Sequence, residues 1–178
     1  MRKRLLVIIL VTFAHFSFSQ EGEKEPQAFS FSAFLDLYYG YDFNQPLSES
    51  RLPFLYNHTR HNQPAVNQAL ISGSFKKDRF RANLGLQQGT YPQDNYSEEP
   101  AALRWIYQAN LGIALDRDQK VWLDAGVLPS HIGFESAISK DNLTLSRSFI
   151  AENSPYFETG VKLGWEKSES WYFAFLYL

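Results

Sequence analysis

Few residues of this sequence have the spacing of a catalytic or metal site. His58 and His61 form an H-x-x-H pair, but no carboxylate or predicted helix accompanies them, so they are weak evidence for a metal. The chain has no cysteine, which excludes a disulfide framework, a thiolate metal site and a cysteine nucleophile. Four serines lie near Lys140 and Glu152 without forming a G-x-S-x-G or S-x-x-K signature: Ser136, Ser139, Ser146 and Ser148. We therefore expect neither an enzyme, nor a metal site, nor a cofactor.

Charged residues of both signs concentrate in one long polar segment, residues 131–160. The segment contains Pro155 but no extended apolar run. Long connections without secondary structure are uncommon in compact domains and are usually functional. The charged candidates in this segment are Glu135, Lys140, Asp141, Arg147 and Glu152.

The segments that must position these residues alternate apolar and polar side chains. The clearest is FSFSAFLDLYYGYDF, residues 29–43. A period of two over this length predicts a strand with one apolar and one polar face, long enough to cross a bilayer. Six more strands are predicted over residues 66–75, 80–87, 107–115, 121–127, 157–165 and 171–178, with one short helical turn within residues 100–105.

The polar face of these strands supplies a second group of candidates. They are Arg79, Arg81, Asn83, Asp124, Glu158 and Lys162. Gly126, Gly160 and Gly164 belong to the same face, where they either leave room for an inserted loop or permit curvature. Alternation alone does not decide whether the apolar face forms a soluble core or meets lipid.

The connections between the strands favour a membrane barrel. Long connections (residues 44–65, 92–106 and 131–160) alternate with short ones (76–78, 116–120 and 166–170). Outer-membrane barrels have short periplasmic turns and longer outer loops. Aromatic residues lie near both strand ends, where interfacial girdles belong: Phe75, Phe80, Trp165 and Trp171 at the short turns, and Tyr39, Tyr41, Tyr107 and Phe157 at the long loops. We predict an all-β, antiparallel up-and-down transmembrane β-barrel that is incomplete, with about seven strands of a larger barrel.

The N-terminus predicts export. MRKR precedes the apolar run LLVIILVTFAHF and the exit SFSQ, which together are typical of a secretory signal peptide over residues 1–19. Residues 20–28 are a short N-terminal segment, and residues 29–178 the N-terminal part of the barrel. The net charge of −2 gives no reason to expect a nucleic-acid partner.

Three runs of this sequence resemble the OmpL-like outer-membrane β-barrel porin family. They are RANLGLQQGTY (residues 81–91), WLDAGVLPSHIGFESAISKDNLTLSRSFIAENSPYFETG (residues 122–160) and YYGYDFNQP (residues 38–46). The resemblance implies a signal peptide, a single barrel and location in the outer membrane of a Gram-negative bacterium. Members are much longer than 178 residues, which agrees with an N-terminal portion. The family has no well-defined catalytic residues to carry over.

The barrel interpretation leads to an expected function, passive diffusion of small polar solutes. The third long loop, about residues 129–155, would narrow the lumen by analogy with general porins. Its charges would face those of the wall and create a transverse field. The expected partners are membrane lipid and small polar solutes, and homo-oligomer formation is compatible with this interpretation. Two alternatives stay open: a plugged surface barrel whose loops 44–65 and 92–106 bind a partner, and a soluble periplasmic binding barrel.

Overall fold

The computed structural model describes residues 28–48, 50–51 and 54–178. The predicted signal peptide, residues 1–19, lies outside the described residues, as does nearly all of the segment 20–28. The described chain forms one seven-stranded antiparallel sheet in which every strand pairs with its sequence neighbours. The strands are β1 (Phe29–Gly40), β2 (Gln63–Lys77), β3 (Phe80–Gln88), β4 (Ile106–Ala114), β5 (Val121–Pro129), β6 (Phe157–Ser168) and β7 (Trp171–Tyr177).

The sheet is not closed, because β1 and β7 lie at its two edges. Up-and-down order with an open edge on each side is consistent with an incomplete barrel. The predicted fold class is therefore confirmed. Among the described residues no helix is long and apolar enough to cross a membrane.

The two faces of the sheet differ as the alternation predicted. Apolar side chains of one face are exposed, among them Leu35, Leu84 and Leu111, the last with an exposed fraction of 70%. Side chains of the other face are covered, including Trp122 and Asp124 at 2% each. In a protein with an apolar core, the apolar side chains would be buried and the polar ones exposed. The apolar side of these strands therefore faces outward. We call the two sides the apolar face and the polar face.

Two bulges change the alternation near the long loops. In β2 the register with β1 shifts so that Asn67 has no direct partner, and Asn67 and Gln68 are both buried. In β4 a similar shift leaves Tyr107 unpaired. A side chain at Gly85, on the polar face, would meet Tyr107 Cδ1 at 3.1 Å, so Tyr107 lies on the polar face. Its predicted place in the outward aromatic girdle is therefore wrong, because a bulge adds one residue to a strand and re-aims a side chain.

The short turns hold the strands in register at one end of the sheet. In the turn between β4 and β5, the carboxylate of Asp116 accepts hydrogen bonds from the backbone N–H groups of Lys120 and Val121, at 3.1 and 2.9 Å. These hydrogen bonds, above all the one from Val121, lower the pKa of Asp116. The outward aromatic residues Trp165, Trp171 and Phe173 stack beside the turn between β6 and β7.

Three long connections lie at the opposite end: residues 41–62, 89–105 and 130–156, here called the first, second and third loops. The second loop contains α1 (Thr90–Asn95), which the periodicity did not predict, and a 3-10 turn at Leu103–Trp105, within the predicted helical turn. The third loop contains a 3-10 turn at Ser139–Asp141 and α2 (Phe149–Glu152). Ser148 caps α2 by accepting a hydrogen bond from Ala151 N.

Candidate functional site

A row of charged residues crosses the polar face along the hydrogen-bonding direction of the sheet. Register pairs Lys76 with Arg81, Arg81 with Gly112, Gly112 with Asp124, and Asp124 with Lys162. We call these five residues the charged row. Arg81 donates from Nε and Nη2 to the two carboxylate oxygens of Asp124, at 2.7 and 2.6 Å. Lys162 Nζ lies farther from the same carboxylate, at 3.8 Å.

Gly112 makes the Arg81–Asp124 pair possible. The two side chains come from β3 and β5 and meet above β4, whose residue in this row has no side chain. A Cβ at Gly112 would collide with Asp124 Oδ1 and would lie 2.8 Å from Arg81 Cγ. The pair is therefore a three-strand contact that depends on the glycine between its members.

An aromatic ring supports the positive side chains of the row. The guanidinium carbon of Arg81 lies 4.2 Å from the centroid of the Trp122 ring, and Lys76 Nζ lies 5.2 Å from it. Both distances suit a cation–π interaction. Trp122 itself is anchored by its Nε1, which donates to Gln119 O at 2.7 Å.

The next row toward the long loops is neutral. It contains Ser74, Asn83, Asn110, Gly126 and Gly160 in register, and we call it the amide row. Asn83 Nδ2 donates to Asn110 Oδ1 at 2.8 Å, and Asn110 Nδ2 donates to Val127 O at 3.1 Å. A shallow cavity of about 310 Å³ lies over this amide row and the charged row, lined by Arg81, Asn83, Gln108, Asn110, Asp124 and Lys162 among others.

The glycines of the polar face serve close approach between strands. A Cβ at Gly126 would collide with Ala109 O, and one at Gly160 with Tyr177 O. At Gly164 it would meet the ring of Tyr172. The atoms nearest to these glycines belong to adjacent strands. This agrees with the interpretation that the glycines permit curvature of the sheet.

Two predicted wall residues lie at the ends of the strands. Arg79 is exposed in the turn between β2 and β3, and its Nε and Nη2 donate to Ala114 O at 2.9 and 2.6 Å. Glu158 lies at the long-loop end of β6, where its Oε2 is 2.7 Å from His131 Nδ1. Glu158 is buried, whereas the His131 side chain is about half exposed.

The third loop reaches the opposite edge of the sheet. It leaves from β5, yet Ser139 Oγ donates to Asp36 Oδ2 on β1 at 2.9 Å. The same oxygen accepts a hydrogen bond from Asn67 Nδ2 at 3.0 Å and lies 2.9 Å from His58 Nε2. Asp36 therefore joins the third loop, the first loop and the bulge of β2.

Glu152 fastens the third loop to the first. This carboxylate is 1% exposed and accepts hydrogen bonds from Tyr56 N, Asn57 N and Asn57 Nδ2, at 2.8, 3.3 and 2.6 Å. Arg147 Nε lies 3.5 Å from Glu152 Oε1, and Arg147 Nη2 donates to Tyr91 Oη at 3.1 Å. The buried carboxylate thus accepts hydrogen bonds from the first loop, and Arg147 links it to the second.

Among the described residues, the other charged side chains of the third loop contact their own loop. Glu135 accepts hydrogen bonds from the backbone N–H and the hydroxyl of Ser148, and these lower its pKa. Lys140 pairs with its neighbour Asp141 on the exposed side of the loop. Of the five loop candidates, Arg147 and Glu152 make the contacts between loops.

A cluster of tyrosines joins the second and third loops. Tyr91 and Tyr96 are fully buried, and burial raises the pKa of both phenols. Tyr156 stacks on Tyr96 with ring centroids 3.9 Å apart, and its Oη donates to Glu99 Oε1 at 2.6 Å. Arg60 of the first loop pairs with Asp94 of the second through both Nη atoms, at 2.7 and 2.8 Å.

Sequence reasoning missed the residues that connect the loops: Asp36, Asn57, Asn67, Tyr91 and Tyr96. Asp36 occupies a polar position of the run 29–43, but alternation does not indicate its partner, and a period of two contains no signal for a bulge such as the one at Asn67. The H-x-x-H pair has a structural role: His58 contacts Asp36, whereas His61 Nδ1 accepts from Asp42 N at 2.9 Å. Within residues 28–48, 50–51 and 54–178 no group of three or more potential metal ligands occurs.

An up-and-down antiparallel sheet with an apolar outer face and a polar inner face defines the class of outer-membrane β-barrel walls. A family model described as "Putative beta-barrel porin-2, OmpL-like" matches residues 28–178. The chain belongs to this family, as the sequence runs indicated, and the family implies an outer-membrane location. No curated protein and no solved structure matches the chain.

Proposed function

We propose that this chain forms the wall of a porin through which small polar solutes diffuse passively, and that the third loop narrows its lumen. The observation that carries the proposal is the contact between Ser139 and Asp36. It joins the β5–β6 connection to β1, four strands away, on the polar face. A loop in that position would occupy space that water and solutes would otherwise fill.

The polar face is suited to a hydrated passage. It carries amides, hydroxyls and partly exposed charges, which replace the hydration of a polar solute. The apolar face offers only lipid contacts. Export through the signal peptide 1–19 and insertion into the Gram-negative outer membrane belong to the same proposal, and the N-terminus of the mature protein is expected near Gln20.

Conductance in planar bilayers tests the pore. The full-length gene product, purified in detergent, is expected to insert and give discrete current steps without any cofactor. Absence of steps from protein that has folded and inserted would contradict the proposal.

Thiol labelling tests the position of the loop. These 178 residues contain no cysteine, so a cysteine introduced among them is the one modified once any cysteine elsewhere in the full-length protein has been replaced. Charged thiol reagents are expected to lower the conductance of the Ser139→Cys variant. The matched control is Ser170→Cys, in the short turn between β6 and β7. An equal change of conductance in the two variants would show that the third loop does not lie in the passage.

A second candidate function is a plugged barrel that binds a partner through its loops. The contacts that favour it are those of Glu152, Arg147 and the tyrosine cluster, which tie all three loops into one cap. A plugged barrel would insert into bilayers but conduct no current, so the same recording separates the two functions.

A further inference from the structure

We propose that the charged row and the adjacent amide row form a subsite for small organic anions that carry a carboxylate. The inference rests on the proposed function, because it names the class of solute that the passage would favour. It concerns the part of the polar face between the third loop and the short turns.

The row carries more positive than negative charge. Lys76, Arg81 and Lys162 contribute three positive charges and Asp124 contributes one negative charge, which leaves a net charge of +2. Arg81 neutralises Asp124 through two short hydrogen bonds. Lys162 is only loosely held at 3.8 Å, and among the described residues Lys76 has no carboxylate within 4 Å. Two ammonium groups are thus available to an anion.

The other acidic groups of the polar face lie outside the charged row. Asp36 and Glu158 lie near the long loops, beside His58 and His131. Glu166 lies at the short-turn end of β6, in register with Tyr172 and not with a residue of the charged row. The net charge of the charged row therefore stays positive.

The amide row supplies neutral donors beside the positive charges. Each amide nitrogen of Asn83 and Asn110 carries two hydrogens and uses one in the hydrogen bonds described above. A carboxylate in the cavity of about 310 Å³ would meet an ammonium group on one side and amide N–H donors on the other. Charge-assisted hydrogen bonds of this kind are stronger than neutral ones. The volume suits a solute of a few carbon atoms, at the lower end of the usual range for ligand pockets.

Calorimetric titration with succinate tests the subsite independently of transport. The full-length protein in detergent at low ionic strength is expected to bind succinate. The Lys162→Gln variant should bind it about two- to fivefold more weakly, the range for one charge in a largely solvated pair. Lys162→Arg should restore binding. Because the Lys162–Asp124 contact is long, we expect Lys162→Gln to fold.

Lys76 and Lys77 provide a matched pair for the selectivity of the pore. They are adjacent in β2 and therefore point to opposite faces, Lys76 with the charged row and Lys77 outward. In a KCl gradient, Lys76→Gln should lower the chloride-to-potassium permeability ratio about two- to fivefold, whereas Lys77→Gln should leave it unchanged.

The two measurements separate the subsite from the pore. Succinate binding that depends on Lys162, in a protein without conductance, would uphold the subsite and overturn the porin proposal. If the protein conducts but the Lys162→Gln and Lys77→Gln variants bind succinate equally well, the subsite is overturned and the pore stays intact. The same conclusion follows if the conducting protein binds no succinate.

Discussion

Asp124 keeps a charge on a covered surface because Arg81 reaches it across the bare backbone of Gly112. The carboxylate is almost fully buried, and the guanidinium occupies both of its oxygens. Buried charges are tolerated when they are paired and hydrogen-bonded, and the loss of one partner is costly. The pair therefore positions the charged row and stabilises the wall.

We predict that Arg81→Ala lowers the free energy of unfolding by about 3 kcal/mol, because Asp124 loses its main partner. Adding Asp124→Asn to Arg81→Ala should recover part of that loss, since the unpaired charge disappears. Urea unfolding of the full-length protein in lipid vesicles measures both effects. Additive losses in the double variant would show that the two side chains are not coupled.

The buried phenols predict a loss of stability at alkaline pH. Tyrosines in the unfolded chain ionise near pH 10, whereas burial keeps Tyr91 and Tyr96 protonated above that value. Their contribution is therefore fully present below about pH 10 and decreases as the pH rises further, by up to about 1.4 kcal/mol per pH unit for one phenol that ionises only in the unfolded chain. Tyr96→Phe should make the fall shallower by that amount in unfolding measurements between pH 10 and 12. Equal slopes would contradict the assignment.

At the scale of elements, the third loop is held by a few buried polar contacts. Asp36, Asn67, Asn57 and Glu152 form a continuous chain of hydrogen bonds from β1 to the third loop. Asn67 belongs to it because the β2 bulge turns its side chain toward the polar face. The bulge in β2 therefore supplies one of the residues that hold the third loop in place.

We predict that Glu152→Gln releases the third loop. The glutamine amide has one oxygen and one NH₂ group, so one of the two accepting positions of Glu152 becomes a donor. That donor would face either the backbone N–H groups of Tyr56 and Asn57 or the side-chain NH₂ of Asn57. A lost buried hydrogen bond costs about 1–3 kcal/mol, so cleavage by trypsin after the exposed Lys140 should accelerate about tenfold or more. The control is Glu135→Gln, whose carboxylate accepts its hydrogen bonds from Ser148 of the same loop. Equal cleavage rates in the two variants would contradict the anchor.

At the scale of the whole molecule, the orientation of the two faces decides what surrounds the sheet. Leu111 projects from the apolar face with 70% of its surface exposed, and the neighbouring side chains of that face are also apolar. Such a surface is unfavourable in water and favourable in hydrocarbon. Family membership and the direction of the faces therefore agree.

We predict that Leu111→Arg lowers the free energy of unfolding in lipid vesicles by about 2–4 kcal/mol, the cost of arginine on a lipid-facing strand near the bilayer midplane. Gln108→Arg, in the same strand but on the polar face, should cost much less. Denaturant titrations of both variants in vesicles provide the comparison. A larger loss for Gln108→Arg would mean that the faces are reversed.

The sequence by itself determined the strands and the direction of their faces. Period-two alternation is local, so residues 80–87 already indicated a strand with Leu84 and Arg81 on opposite faces. The alternating loop lengths and the aromatic positions indicated up-and-down order and an apolar face directed outward. Alternation also placed the candidate charges Arg81, Asp124 and Lys162 on one face, where the structure brings them together.

Only the tertiary structure decided which of these residues meet. The pairing of Arg81 with Asp124 depends on the register of three strands, and register is a relation between segments that no single segment encodes. The bulges at Asn67 and Tyr107 were invisible to alternation because each interrupts it by one residue. The contact from Ser139 to Asp36 joins positions 103 residues apart, and such contacts follow from how the packed sheet brings loops together.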